Sequence, residues 1–279
     1  MNNLAANQAF SQSDAILVLG AGAFEFRALM DSLGGLGQPI QQSILCLHPF
    51  VDSRSTGIEQ YQYEVGAELG VITLLLAAFA SVNSQFPTIA MEFVKDLDIG
   101  HIASESALAE EELATIAQAL QQAQSPVIFI GESFLCHKYA QLICKIIATI
   151  EMYSKVVFIP SLASIAQYQK LDSSDVVQIL QALSNIPESN GAFVYLSPFD
   201  EENLASPVLY ATKTFLRLSH LEQSAQARLI VDCAEVDCAI RQVEYLKGAA
   251  AVLKGWHTQG ERFYPFITAQ FAQNGGYNG

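Results

Sequence analysis

The stretch Asp14-Ala-Ile-Leu-Val-Leu-Gly-Ala-Gly-Ala-Phe-Glu25 runs an apolar strand into a glycine-rich turn and then into a helical pattern. Such a turn can present unblocked backbone N–H groups to a phosphate at a helix N-terminus. A second turn of this kind, Gly131-Glu132-Ser133, follows Val127-Ile-Phe-Ile130, and a third strand, Lys155 to Ile159, runs through Pro160 into Ser161. Open α/β sheets hold ligands beyond the carboxyl ends of their strands. Gly20, Gly22, Gly131, Glu132 and Ser161 are therefore the residues that would line a crevice for a nucleotide-like or pterin ligand.

The spacing departs from each motif that would make the chemistry specific. Gly20 and Gly22 fill the first two places of the dinucleotide fingerprint GxGxxG, but the third holds Glu25, which adds bulk and negative charge where a pyrophosphate would sit. The next strand ends in His48-Pro49, and the first acid, Asp52, lies beyond the proline instead of at a ribose-binding position. The Gly131 turn has one glycine and no following Lys-Ser or Lys-Thr, so it reads as a tight strand-to-helix turn and not as a phosphate loop.

Ser133, Cys136 and His137 invite a nucleophile reading, yet Gly131-Glu-Ser-Phe-Leu135 lacks the second glycine of GxSxG. His220 and His257 are available as later triad members, and nothing around them singles them out. The five histidines, His48, His101, His137, His220 and His257, never pair at helical spacing. A metal site would need distant segments to converge. The five cysteines include no CxxC pair; Cys233 and Cys238 stand five apart, which fits neither a zinc site nor a cluster. No metal centre is expected.

A chain of 279 residues that is 51% hydrophobic and 15% charged can bury a full core. Its formal charge is −14, with Lys and Arg scattered singly, which argues against nucleic acid and anionic membranes as partners. The most apolar window, Val71 to Ala80, is about half the ~20 residues a bilayer-spanning helix needs, so it reads as a buried core helix. The first residues lack the pattern of a secretory leader, and a cytoplasmic location without direct membrane insertion is expected.

The elements that would position these residues are a repeated unit. Ala15–Leu19, a helix over Phe24–Leu33 and Ser43–Leu47 form one β-α-β unit; Val127–Ile130, a helix over Tyr139–Ile150 and Lys155–Ile159 form another. Gly20 to Pro49 and Gly131 to Pro160 are both 29 positions. Further runs at Ala192–Leu196 and Arg228–Val231 are expected to continue the sheet. Unbroken apolar strands predict an α/β fold with a doubly wound, mostly parallel sheet covered by helices on both faces. Additional helices are predicted over Glu64–Ala80, Ser106–Gln122 and Ser173–Leu183, with Ser84–Ser106 linking two lobes or crossing the sheet. The expected organisation is a loose N-terminus over 1–12, a first lobe over 13–122, a second over 123–272 and a frayed tail over 273–279.

His48-Pro-Phe-Val-Asp52 followed by Tyr63-Glu-Val-Gly-Ala-Glu-Leu-Gly-Val-Ile-Thr-Leu-Leu-Leu76 resembles the molybdopterin-oxidoreductase-type domain of the large G subunit of bacterial NADH-quinone oxidoreductase, complex I. Pro126–Glu132, His137, Ile143–Tyr153 and Val156–Ser161 resemble the next β-α-β unit of that domain. These segments cover somewhat under half the chain, and the strand, glycine turn and helix outline is shared with domains of thiamine-diphosphate enzymes. The resemblance implies the non-cluster scaffold part of a peripheral redox arm. Its partners would be other protein subunits, and it would have no catalytic centre or cofactor of its own and sit at the inner face of the membrane through those subunits. The alternative is a small cofactor-binding oxidoreductase or transferase using the strand carboxyl-terminal edge.

Overall fold

A computed structural model of the chain describes residues 3–32, 43–83, 85–160, 169–186, 191–197, 204–231, 234–256 and 263–272. Two units are distinguished by their internal contacts: Met1–Val51 with Ser55–Ser189, and Asp52–Arg54 with Asn190–Gly279.

In the first unit the short apolar runs pair as predicted. Strands β1 (Ala15–Leu19), β2 (Ser43–Leu47), β3 (Glu59–Tyr61), β4 (Pro126–Ile130) and β5 (Val157–Pro160) form one parallel sheet in the order β3-β2-β1-β4-β5. Successive side chains of a strand point to opposite faces, and here both faces are buried, which is why the runs do not alternate in polarity. Leu17, Leu19, Leu45 and Ile128 belong to one apolar cluster, and Ile16, Val18, Ile44 and Val127 to another.

Helices α1 (Asn3–Gln12) and α2 (Ala23–Ser32) cover the second cluster through Phe10, Phe26 and Met30. Phe10, Phe26 and Phe129 form a trio of ring contacts between 5.5 and 6.1 Å, so the expected loose N-terminus contains a docked helix. The other face carries α3 (Glu68–Val82), α4 (Thr88–Asp96), α5 (Ile99–Ser106), α6 (Glu110–Gln122), α8 (Ala140–Tyr153) and α9 (Ser173–Leu183), with the single turn α7 (Glu132–Leu135) leading into α8. Helix α3 is buried nearly all round because α4, α5, α6, α8 and α9 pack against it, and its composition is accordingly apolar on every side. It begins four residues later than periodicity suggests, since Gly66 stands at φ +88 just before it. No helix among the described residues is long and apolar enough to cross a membrane.

The remaining strands do not continue this sheet. In the second unit β6 (Phe193–Leu196), β7 (Val208–Ala211), β8 (Gln226–Val231), β9 (Ala234–Gln242), β10 (Ala250–Lys254) and β11 (Phe266–Thr268) form a separate mixed sheet in the order β11-β6-β10-β7-β9-β8, with α10 (Lys213–Leu218) after β7. The runs at Ala192–Leu196 and Arg228–Val231 belong here, which corrects the expectation of one doubly wound layer. Past β11 the chain reaches the opposite edge: Ile230 N–H donates to the Gln270 carbonyl and Ala272 N–H to the Arg228 carbonyl, both at 2.9 Å. The sheet thus curls closed around Val194, Leu209, Leu229, Val236 and Leu253.

The unit also incorporates Asp52–Arg54. Ser53 donates its N–H and hydroxyl to the Tyr245 carbonyl at 2.8 and 3.1 Å, while Arg54, held by Asp52, stacks over the Tyr245 ring at 3.6 Å. The lobe boundary expected at 122/123 runs through one sheet, because β1 and β4 are hydrogen-bonded neighbours; the division by contacts falls at 189/190. The tail over 273–279 lies outside the described residues.

Candidate functional site

The chain leaves β1 toward β2 and β3, then returns to the other side of β1 for β4 and β5. The switch point of the sheet therefore lies between the carboxyl ends of β1 and β4, where a doubly wound sheet opens its ligand crevice. Gly20 and Gly131 follow these two strands, and their N–H groups extend the ladders to the Leu47 and Leu19 carbonyls at 3.0 and 2.7 Å.

The two turns meet face to face. A Cβ on Gly131 would lie 2.4 Å from the Gly20 carbonyl oxygen and 2.6 Å from the Ala21 nitrogen, and a Cβ on Gly20 would lie 2.1 Å from Ser133 Oγ and 2.6 Å from the Phe134 ring. Gly20 also stands at φ +68, which favours glycine. What the two glycines accommodate is each other's turn.

Glu25 completes the closure. It is the third residue of α2 and only 6% exposed, and its Oε2 accepts the Gly22 N–H at 3.2 Å. The carboxylate sits on the donor that a phosphate would use, and it caps the helix start from within. Beside it, the Cys46 thiol donates to the Ala21 carbonyl at 3.5 Å; burial, with the Glu25 charge adding, drives its pKa far above the ordinary thiol range. It is a thiol without nucleophilic character.

Beneath the turns runs a buried polar chain that the sequence does not announce. The Ser133 hydroxyl donates to the Gly20 carbonyl at 3.2 Å and lies 3.2 Å from the Tyr63 hydroxyl, which donates to Glu68 Oε1 at 3.5 Å. Glu68 Oε2 is 3.6 Å from His137 Nε2, and all four side chains are buried. That separation would suit an ion pair, but burial, with the Lys138 charge adding, outweighs a hydrogen bond to the Gly66 backbone and lowers the His137 pKa to about 4. The ring is neutral at pH 7. His137 Nδ1 accepts from the Tyr139 N–H at 3.2 Å, which assigns the proton to Nε2.

Such a hydroxyl, phenol, carboxylate and imidazole series can share protons, yet it is sealed and structural in geometry. Ser133 hydrogen-bonds to Gly20 and Tyr63, so the predicted nucleophile and His137 are not paired as a catalytic dyad. Tyr63 and Glu68 come from the loop before α3 and its first turn, far from either glycine turn in sequence. One signal marks Glu68: a carboxylate opening the most apolar helix of the chain must find polar partners or pay for burial.

The remaining candidates disperse. Glu132 is the partly exposed first residue of α7 and contributes its carbonyl to the Cys136 N–H at 2.8 Å. Ser161, Cys233 and His257 lie outside the described residues. Cys238 is in the second unit, bonded to the Ala227 carbonyl at 3.4 Å, its pKa raised to about 11 by burial. Among the described residues no three His, Cys, Asp or Glu side chains gather as a metal site. No protein-family model and no curated protein matches the chain, so its own geometry carries the functional reading.

Proposed function

We propose that the chain is a structural or assembly element of a larger redox complex, in the manner that its resemblance to the complex I G subunit implies. Other protein subunits are its partners, and through them it sits at the inner face of the membrane. The observation that supports this reading is the occupied switch point. Gly20, Gly131 and Ser133 fill the crevice, and Glu25 takes the Gly22 N–H that a phosphate would need. A fold that keeps the sheet and closes its cradle retains shape for packing and gives up the ligand.

Thermal unfolding in the presence of NADH, ATP, GTP or a reduced pterin tests it directly. A ligand at ~100 times its Kd adds about 2.7 kcal/mol to stability, a shift of several degrees in Tm. The scaffold reading expects no shift with any of them, together with stoichiometric partner subunits when the chain is isolated natively. A shift with one of them would overturn it.

A second reading has one observation in its favour. The buried Ser133–Tyr63–Glu68–His137 series lies at the edge where a small cofactor-binding oxidoreductase or transferase would hold its ligand. That reading requires the turns to part, and the same titration decides between the two.

A further inference from the structure

Among the described residues β5 is the last strand on its side of the first sheet, so one row of its backbone groups faces away from β4. Successive N–H groups of a strand point to alternate sides in the plane of the sheet. Val156, Phe158 and Pro160 share the outward set, and none of them offers a donor. The Val156 N–H donates to Ser154 Oγ and the Phe158 N–H to Glu151 Oε1, both at 3.2 Å, while Pro160 has no N–H to give.

The Glu151 contact is the less expected of the two. Ser154 lies two residues before its donor, whereas Glu151 belongs to the last turn of α8 and reaches seven residues forward to the strand. A carboxylate in that turn opposes the helix dipole, whose negative end prefers a cation. Its side chain is exposed, and it is held at the edge of β5 by the Phe158 N–H. The stretch it covers, Val156-Val-Phe-Ile159, is uncharged and strongly strand-forming, and Val157 is 41% exposed. Lys155 and Pro160 bracket it, and both residue types discourage strands from pairing at a sheet edge.

We propose that Glu151 is a guard residue, which keeps β5 from pairing with the same strand of a second copy of the chain. The occupant follows from the one donor that can be released. With two β5 strands antiparallel about Phe158, each Phe158 donates its N–H to the other's carbonyl, so a single freed donor per chain closes a two-fold pair. Val157 of each copy then lies beside the seam. The inference stands apart from the scaffold reading, because it concerns an edge strand and not the crevice between β1 and β4.

Sedimentation equilibrium of the full chain and its variants tests the guard. Glu151→Ala should dimerise at least about tenfold more tightly than the wild type, while Glu151→Gln, which removes the same charge but keeps an acceptor oxygen, should stay at the wild-type level. Equal association of the two variants would assign the effect to charge and overturn the proposal, as would no gain in a Glu151→Ala protein whose circular dichroism matches the wild type. Adding Val157→Lys to Glu151→Ala should return association to the wild-type level, although the new cation eases repulsion between chains that each carry −14. A dimer that survives this change has its contact elsewhere and overturns the proposal. Amide exchange at Phe158 in the wild type needs no variant to fold: its protection should not change with protein concentration, and protection that rises with concentration would show the edge already paired and the guard absent.

Discussion

Gly20 and Gly131 occupy equivalent turns of two similar β-α-β units, yet they are glycines for different reasons. Gly20 adopts φ +68 and touches side chains, Ser133 and Phe134; Gly131, at φ −80, is conformationally ordinary and touches backbone. One turn needs glycine for its dihedral and its neighbours, the other only for space. A repeated motif in sequence is here a pair of interlocking halves.

The largest effect should follow Gly131→Ala. Its new methyl meets the backbone of Gly20 and Ala21, which cannot rotate away, so the cost should reach about 3 kcal/mol or more in urea unfolding, or prevent folding. Gly20→Ala should cost somewhat less, about 2–3 kcal/mol, from left-handed strain plus the clash with Ser133. Adding Ser133→Ala removes the nearest clashing atom and should recover part of the Gly20→Ala loss, whereas the same addition should recover nothing for Gly131→Ala. Equal rescue of both would erase the distinction.

Next in size is an acid effect on the arm that follows Gly131. The His137 pKa falls from 6.5 unfolded to about 4 folded, so the unfolded chain binds the extra proton between these values. Stability is full above about pH 6.5 and is lost as pH drops toward 4, by about 2 kcal/mol between pH 7 and pH 5. Chemical unfolding at a series of pH values should show this slope in the wild type and a flatter one in His137→Gln; parallel slopes would remove His137 as its source.

The smallest contrast is between the two glutamates. Glu25→Ala uncaps the Gly22 N–H and should cost about 1 kcal/mol, while Glu132→Ala, at a partly exposed helix start, should cost about 0.5 kcal/mol or less. Thermal unfolding of the two variants side by side would rank them.

The first sheet is legible in sequence because burial on both faces writes its strands as unbroken apolar runs, and the repeat Gly20–Pro49 and Gly131–Pro160 sets two of them in matching units. Edge strand β3, Glu59-Gln-Tyr61, carries no such mark. The second sheet is harder to read for the opposite reason: β9 buries alternate residues, so Val236 points inward between Glu235 and Asp237 and carries no unbroken apolar run. At the site, the local turn chemistry of Gly20, Gly22 and Glu25 is visible in the chain. Tyr63 is not, since its partner Ser133 comes to it through tertiary packing that no spacing encodes.

The three-residue excursion Asp52–Arg54 has a consequence in time. Ser53 hydrogen-bonds across 192 positions to Tyr245, so one piece of chain joins a unit whose other parts are synthesised much later. Contacts of such separation carry a large loop-closure cost and slow the search for the native arrangement. During synthesis Arg54 is left waiting for the Tyr245 ring until the intervening chain is made, and a fragment that starts at Asn190 leaves that ring without its guanidinium lid.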